Sequence, residues 1–427
     1  MRLPYTEVEL DAKGALVSPD ESDAASELIA GRNATDVLVL CHGWNNTPGD
    51  ARALYERLAA SLDDVRDTVP GSRERRFVVV GLLWPSVQWS RDENSGAGAG
   101  AEAPEDLLRA DIERVVQNAR TRRRLLALVP RIDSDPAAAT EFVSILRTTL
   151  PRSSKGEDAG AFRFLRSAPA EEVLDAARGD AVRADAPAFV GGAADVPAAG
   201  LAPLGGPGGS GSGVGLFDSL VGALRNVVNV ASYYTMKERA GVVGGKGVSK
   251  LLDRLHSDHP HVRLHLIGHS FGGRALTAAA KATTAPLSSL ALLQAAFSHF
   301  GISHDWDGGG TDGLFVAVPA KVSGPIIVTF TKNDTSVGIA YAVASRLARQ
   351  VGAGIGDASD PYGGIGRNGA LKTPAALPNS ALVAVGGRYA FERGKVSSLN
   401  ADAFISGHSD VTGHQVAYAI LCAVETA

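Results

Sequence analysis

Residues Gly268, His269, Ser270, Phe271 and Gly272 fit the pattern G-x-S-x-G. In that pattern a serine stands at a sharp strand-to-helix turn with its hydroxyl exposed above a sheet. The apolar run Leu264 to Ile267 leads into the turn and the small-residue stretch Ala275 to Ala280 follows it, which is the context such a turn needs. The glycines have a steric reason: the serine backbone is forced into a sparsely populated region, and a Cβ two residues to either side would clash.

A serine hydroxyl becomes a nucleophile only when a neighbouring base takes its proton, and a third group must fix the tautomer of that base. On a parallel α/β sheet such groups belong on loops at the carboxyl ends of strands, in the chain order serine, acid, histidine. Asp334, after the apolar run Pro325 to Thr331, and His408, in the polar loop Ser406 to Asp410, fit that order. Asp305 and Asp307 compete for the acid position, and His414, beside the start of the last helix, competes for the base. A tetrahedral oxyanion needs two backbone N–H donors. Phe271, following the serine, supplies one; His42-Gly43-Trp44, following the run Asp36 to Cys41, offers the other, with Trp44 as the donor and Gly43 allowing close approach.

The elements that must carry these residues follow from hydropathy. Asp36 to Cys41, Arg76 to Trp84, Val262 to Ile267, Leu287 to Phe297, Pro325 to Thr331 and Ala381 to Val385 are apolar runs of the kind found in strands buried on both faces. Thr6 to Leu10 and Ala15 to Val17, joined through Asp11-Ala12-Lys13-Gly14, read as an opening hairpin. A helix from Asp50 carries Leu54, Leu58, Leu62 and Val65 on one face, so the first strands form a βαβ unit. Residues 90–232 break this rhythm with helical segments over Glu105 to Val129, Ala137 to Leu150, Glu171 to Arg178 and Leu216 to Val230, and a Gly/Pro-rich linker over 187–215. A helix over Tyr234 to Asp258 leads back to the serine strand; a further helix over Val337 to Gln350 and a glycine-rich loop from Val351 to Asn379 precede the last strand. The expected organisation is a core formed by residues 1–89 and 233–427, with 90–232 as a helical insertion over one end of the sheet.

The chain has 427 residues, 45% hydrophobic and 21% charged, with a formal net charge of −4. That balance gives no electrostatic reason to expect nucleic acid or an anionic membrane as a partner. Two cysteines, Cys41 and Cys422, exclude a disulfide framework and a thiolate metal site, and His256, His259 and His261 lack a completing ligand at known spacing. No apolar run approaches the roughly 20 residues of a membrane span, and the acidic amino-terminal stretch has no signal-peptide core, so a cytoplasmic protein is expected. Export by a route without a cleavable signal stays open.

On His42-Gly43-Trp44-Asn45-Asn46, Trp84-Pro85-Ser86, Gly268 to Gly272, Asp334 and His408, the sequence resembles the α/β-hydrolase superfamily, in its bacterial serine esterase- and lipase-like branch. The resemblance covers roughly residues 36–90 and 235–427. It implies a mostly parallel sheet flanked by helices, with the insertion in the place of a lid or cap. It further implies cleavage of carboxylic esters through an acyl-enzyme without a cofactor, on a small-molecule or lipid ester. Two alternatives accompany it: a non-catalytic scaffold of the same fold used for binding, and an acyltransferase using the same nucleophile.

Overall fold

The computed structural model describes residues 3–86, 103–178, 220–334 and 363–427. The expected 187–215 linker and the Val337 to Gln350 helix lie outside the described residues, as does the first part, 351–362, of the Val351 to Asn379 loop.

The chain is an α/β protein built on one eight-stranded sheet. Its strands are β1 (Tyr5–Glu9), β2 (Asp36–Cys41), β3 (Phe77–Leu83), β4 (Arg263–His269), β5 (Ser289–Leu293), β6 (Ile326–Phe330), β7 (Ser380–Ala381) and β8 (Val396–Asn400). Their order across the sheet is β1-β3-β2-β4-β5-β6-β8-β7, and all neighbours are parallel. Between β2 and β4 the chain reverses its direction of travel across the sheet. That is a topological switch point, where the loops leaving adjacent carboxyl ends diverge and leave a crevice.

Alternate side chains face opposite layers, as the strand period requires. Val37, Val39, Leu264, Leu266, Leu290 and Leu292 enter one core; Leu38, Leu40, Ile267, Ala291 and Leu293 enter the other. The second core is closed by the helices Pro48–Val65 and His414–Thr426, which pack together. A capping box between Thr47 and Asp50 fixes the start of the first of these helices immediately after the β2 loop.

The first core lies under Pro19–Gly31, Phe271–Ala282 and a helix that runs without a break from Leu220 to Asp258. Its middle, Val243–Val248, is a π-helical turn. A Cβ at Gly244 would stand 1.9 Å from the Ala275 carbonyl oxygen, so glycine here lets the two helices touch backbone to backbone. The two helices expected on either side of residue 232 are thus one element. Onto its first half pack Pro104–Val115, Pro136–Arg147 and Ala170–Ala177, whose Leu108, Ile112, Phe142 and Val173 share one core with Val227 and Tyr234. The helix expected over Glu105 to Val129 is two, divided at Val116 to Asn118, where the Asn118 side chain caps Ala119–Leu128. Buried Lys237 pairs with Asp158, which also accepts a hydrogen bond from Tyr233, so the insertion is pinned to the long helix by charge as well as packing.

Two expectations near the sheet edges are corrected. Tyr5–Glu9 pairs along its length in parallel with β3, and the expected hairpin is confined to its end: Leu10 bridges Leu16 antiparallel, with Val17 N–H donating to the Glu9 carbonyl (2.9 Å) and Asp11 N–H to the Ala15 carbonyl (2.8 Å). The last long strand is not Ala381 to Val385, of which only Ala381 is paired, in the two-residue β7. It is β8, Val-Ser-Ser-Leu-Asn, whose serines suit a crowded site: Ala370 N–H donates to Ser398 Oγ, and a Cβ at Gly369 would lie 3.1 Å from Ser398 Cβ.

Candidate active site

β4 ends at His269, and the helix Phe271–Ala282 begins one residue later, leaving Ser270 to make the whole turn. Its backbone stands at φ 56°, ψ −125°, a region that costs a non-glycine residue of order 1–3 kcal/mol. The turn closes only because its flanks lack side chains. A Cβ at Gly272 would sit 2.1 Å from the Cys41 carbonyl oxygen, and one at Gly268 would sit 2.6 Å from Gly273 Cα.

The structure brings Ser270, His408 and Asp334 together. Ser270 Oγ is 2.9 Å from His408 Nε2, and His408 Nδ1 is 2.8 Å from Asp334 Oδ2. A carboxylate only accepts, so Nδ1 carries the ring proton and Nε2 is left to accept from the hydroxyl. Asp334 is fully buried after β6 and the His408 side chain is 10% exposed on the loop after β8. The competing groups lie elsewhere. Asp305 and Asp307 are spent on their own glycine turn, accepting from Gly310 N–H (2.6 Å) and from Gly309 and Thr311 N–H (2.9 and 3.1 Å). Exposed His414 opens the terminal helix, 3.4 Å from Asp64.

The β2–β4 register carries the loop after β2, His42-Gly43-Trp44, past the serine. Cys41 pairs with Gly268, which sets Gly43 beside Ser270; a Cβ on Gly43 would lie 2.8 Å from Ser270 Cβ and 3.3 Å from its Oγ. Phe271 is the first residue of its helix, where the N–H has no intrahelical acceptor. The Trp44 ring meets Phe271 edge-on at 6.0 Å, and Tyr233 of the long helix packs on the same ring at 5.6 Å.

Two histidines that the sequence pattern did not single out brace this arrangement. His42 is buried, and burial pushes its pKa down to about 4, so the ring is neutral at pH 7. Its Nε2 accepts from Trp84 N–H (3.3 Å), and its Nδ1–H donates to the Gly43 carbonyl (2.9 Å). The C=O and N–H of a trans peptide point in opposite directions, so this bond turns the Trp44 N–H away from the imidazole. Tyr55 OH accepts from His42 N–H (2.9 Å) and donates to the Leu82 carbonyl, tying the loop to β3. His269, the variable residue inside G-x-S-x-G, reaches the main chain of His408. The only clue to either in the sequence is a histidine beside a motif glycine, which many unrelated turns share.

A second Ser–His–Asp chain lies at the opposite, amino-terminal edge of the sheet. His265 Nδ1 is 2.8 Å from Ser289 Oγ and His265 Nε2 is 3.0 Å from Asp36 Oδ1, distances like those at Ser270. The environment separates the two. Asp36 is also held by Arg75 (2.7 Å) and Arg263 (3.0 Å), and Ser289 opens an ordinary strand with no glycine turn or helix N-terminus beside it. All three residues are buried, and they join β2, β4 and β5 where these strands begin. This network locks strand register; hydrogen-bond distances alone do not make a reaction centre.

Comparison with family models, with curated proteins and with solved structures returns no match. Among the described residues, no group of three or more His, Cys, Asp and Glu is placed to hold a metal ion, and no helix is long and apolar enough to cross a membrane.

Proposed function

We propose that the protein is a serine hydrolase of the α/β-hydrolase type that cleaves carboxylic esters through an acyl-enzyme. The observation that carries this reading is the hydrogen-bonded chain Ser270–His408–Asp334, with the serine on a strained turn at the switch point of a parallel sheet. His408 Nε2 takes the Ser270 proton as Oγ attacks the ester carbonyl carbon, and Asp334 holds the imidazolium in place. The oxyanion is received by the N–H groups of Phe271 and Trp44, the second oriented through the His42–Gly43 bond. One such donor is worth about 10²–10³ in rate. His408 then protonates the leaving alcohol, the acyl group stays on Oγ, and a water deprotonated by the same nitrogen releases the acid.

The apolar surroundings of the nucleophile support an apolar acyl group. Trp44 and Tyr233 pack on Phe271, the residue after Ser270, and Ser270 itself is only 4% exposed. Tyr233 belongs to the helix on which the insertion packs, so the insertion acts as the cap that sets substrate size. Turnover of short nitrophenyl esters, with a burst of nitrophenol equal to enzyme and abolished by Ser270→Ala, is the expected behaviour. Folded protein that gives neither burst nor turnover on any chain length overturns the proposal. Partition of the acyl group into added alcohols distinguishes a transferase from a hydrolase.

A further inference from the structure

We propose that His269 is a positioning residue, its Nε2–H holding the main-chain carbonyl of His408 so that the His408 ring stays on Ser270. The inference rests on the reading of Ser270 and His408 as nucleophile and base. His269 Nε2 stands 2.8 Å from the His408 carbonyl oxygen, and the two rings are 4.8 Å apart. A carbonyl only accepts, so the bond requires the proton on Nε2.

The loop bearing His408 is otherwise anchored some residues away. Asn333 Nδ2 donates to the Ile405 carbonyl (2.8 Å), Ser61 Oγ donates to the Thr412 carbonyl (2.6 Å), and Ser406 and Asp410 close the turn between them. At His408 itself the tie comes from His269, which sits on the rigid end of β4, one residue from the nucleophile. Base and nucleophile are thus referenced to the same strand end.

The surroundings explain why the tie is a histidine. The ring is buried beside a small apolar cavity walled by Leu40, Tyr55, Leu58, Ile267 and Val411. Its Nδ1 has no hydrogen-bond partner among the described residues and faces Gly43, where an added Cβ would stand 3.1 Å away. Burial and the neighbouring His408 push its pKa down to about 3. A lysine or arginine here would carry a permanent charge 5 Å from the ring that must become an imidazolium; neutral His269 donates without opposing that charge.

The test uses the full chain with His269→Leu, which keeps bulk and removes the donor, and His269→Gln, whose Nε2 can restore it. Rates are read as kcat and KM on a nitrophenyl ester and as the rate of fluorophosphonate labelling of Ser270. A displacement of about 1 Å costs about 10²-fold. His269→Leu is therefore expected to lower kcat and labelling by about 10²-fold with KM little changed, and His269→Gln to recover to within about 10-fold of the native protein. Equal losses in both variants, or native rates in His269→Leu, overturn the proposal while native labelling leaves the nucleophile reading standing.

Nitrogen-15 chemical shifts of the native protein's imidazoles judge the bond without any substitution, whether or not the variants fold and whether or not Ser270 reacts. A neutral Nε2–H tautomer at pH 7 supports the proposal; an Nδ1–H tautomer or a cation at that pH overturns it.

Discussion

Replacing Gly43 with alanine tests whether the β2 loop is built to pass the nucleophile at contact distance. The glycine φ is not in the left-handed region, so alanine can adopt the backbone and the penalty comes from the added methyl alone. That Cβ would stand 2.8 Å from Ser270 Cβ, 3.1 Å from His269 Nδ1 and 3.3 Å from Ser270 Oγ. Carbon atoms rest at about 3.5–4.0 Å, so the serine and the loop must part by about 0.7–1.2 Å. Neither side yields easily. Ser270 is held by its N–H to the Leu293 carbonyl (3.1 Å) and the loop by His42, Trp84 and Tyr55. A displacement of that size is worth about 10²-fold in rate, or about 2.7 kcal/mol of barrier. Overpacking costs about 1–3 kcal/mol of stability, offset by the few tenths to 1 kcal/mol that alanine gains in the unfolded chain. The assay is the second-order rate of fluorophosphonate labelling alongside thermal unfolding. Gly31→Ala is the control, because a Cβ at Gly31 meets nothing within 4 Å. Native labelling and unchanged unfolding in Gly43→Ala would refute the steric reasoning and with it the placement of the β2 loop against Ser270.

Three further outcomes follow from the same geometry. Asp334→Asn leaves the hydrogen-bonded frame but offers His408 Nδ1 the wrong partner, so ester turnover should fall by about 10⁴-fold with little change in KM. Asp36→Ala leaves Arg75 with Glu425 as its counter-charge but strips buried His265 Nε2 of its acceptor, and should cost about 1–3 kcal/mol by denaturant titration. The Asp36→Ala protein that remains folded should still label at Ser270, and loss of labelling from it would show that the register network reaches the nucleophile.

Acid should destabilise the fold in two stages, read as a falling Tm. His42 and His269 are held down to about 4 and about 3 against an ordinary 6.5, so below pH 6.5 the unfolded chain binds protons that the native state refuses. Each then costs about 2 kcal/mol by pH 5. Asp36 is lowered to about 2 from 3.8: His265, Thr35 and Arg75 favour its charged form, and together they outweigh its burial. Its contribution, present above pH 3.8, is lost only as pH falls from there toward 2. A Tm unchanged between pH 7 and pH 5 contradicts the neutral, buried state of the two histidines.

The serine turn was the most legible part of this chain because its chemistry and its sterics demand the same residues. Gly268 and Gly272 are needed for closure, and the apolar run before them ends where the strand ends. β2 to β6 were legible for a related reason: strands buried on both faces leave runs such as Val37 to Cys41 and Ile326 to Val328 that little else produces. Asp334 and His408 could be placed by order and loop position, whereas their contact with Ser270 is made across strands and is visible only in three dimensions. β8 escaped because its buried Ser398 accepts from Ala370 N–H and packs closely against Gly369, contacts that hydropathy does not record. β1 misled because period-two alternation marks a strand without naming its partner. The bracing by His42 and His269, and the link from Asp36 through His265 to Ser289, depend on side chains meeting from separate strands and loops, for which a single sequence carries no local signal.

The most direct measurement is the intact mass of the native protein and of Ser270→Ala after exposure to a fluorophosphonate. The account predicts one adduct per native chain, located by peptide mapping on Ser270, and none on the alanine variant. Folded native protein that takes up no probe, or an alanine variant that is labelled as readily as the native chain, would contradict it.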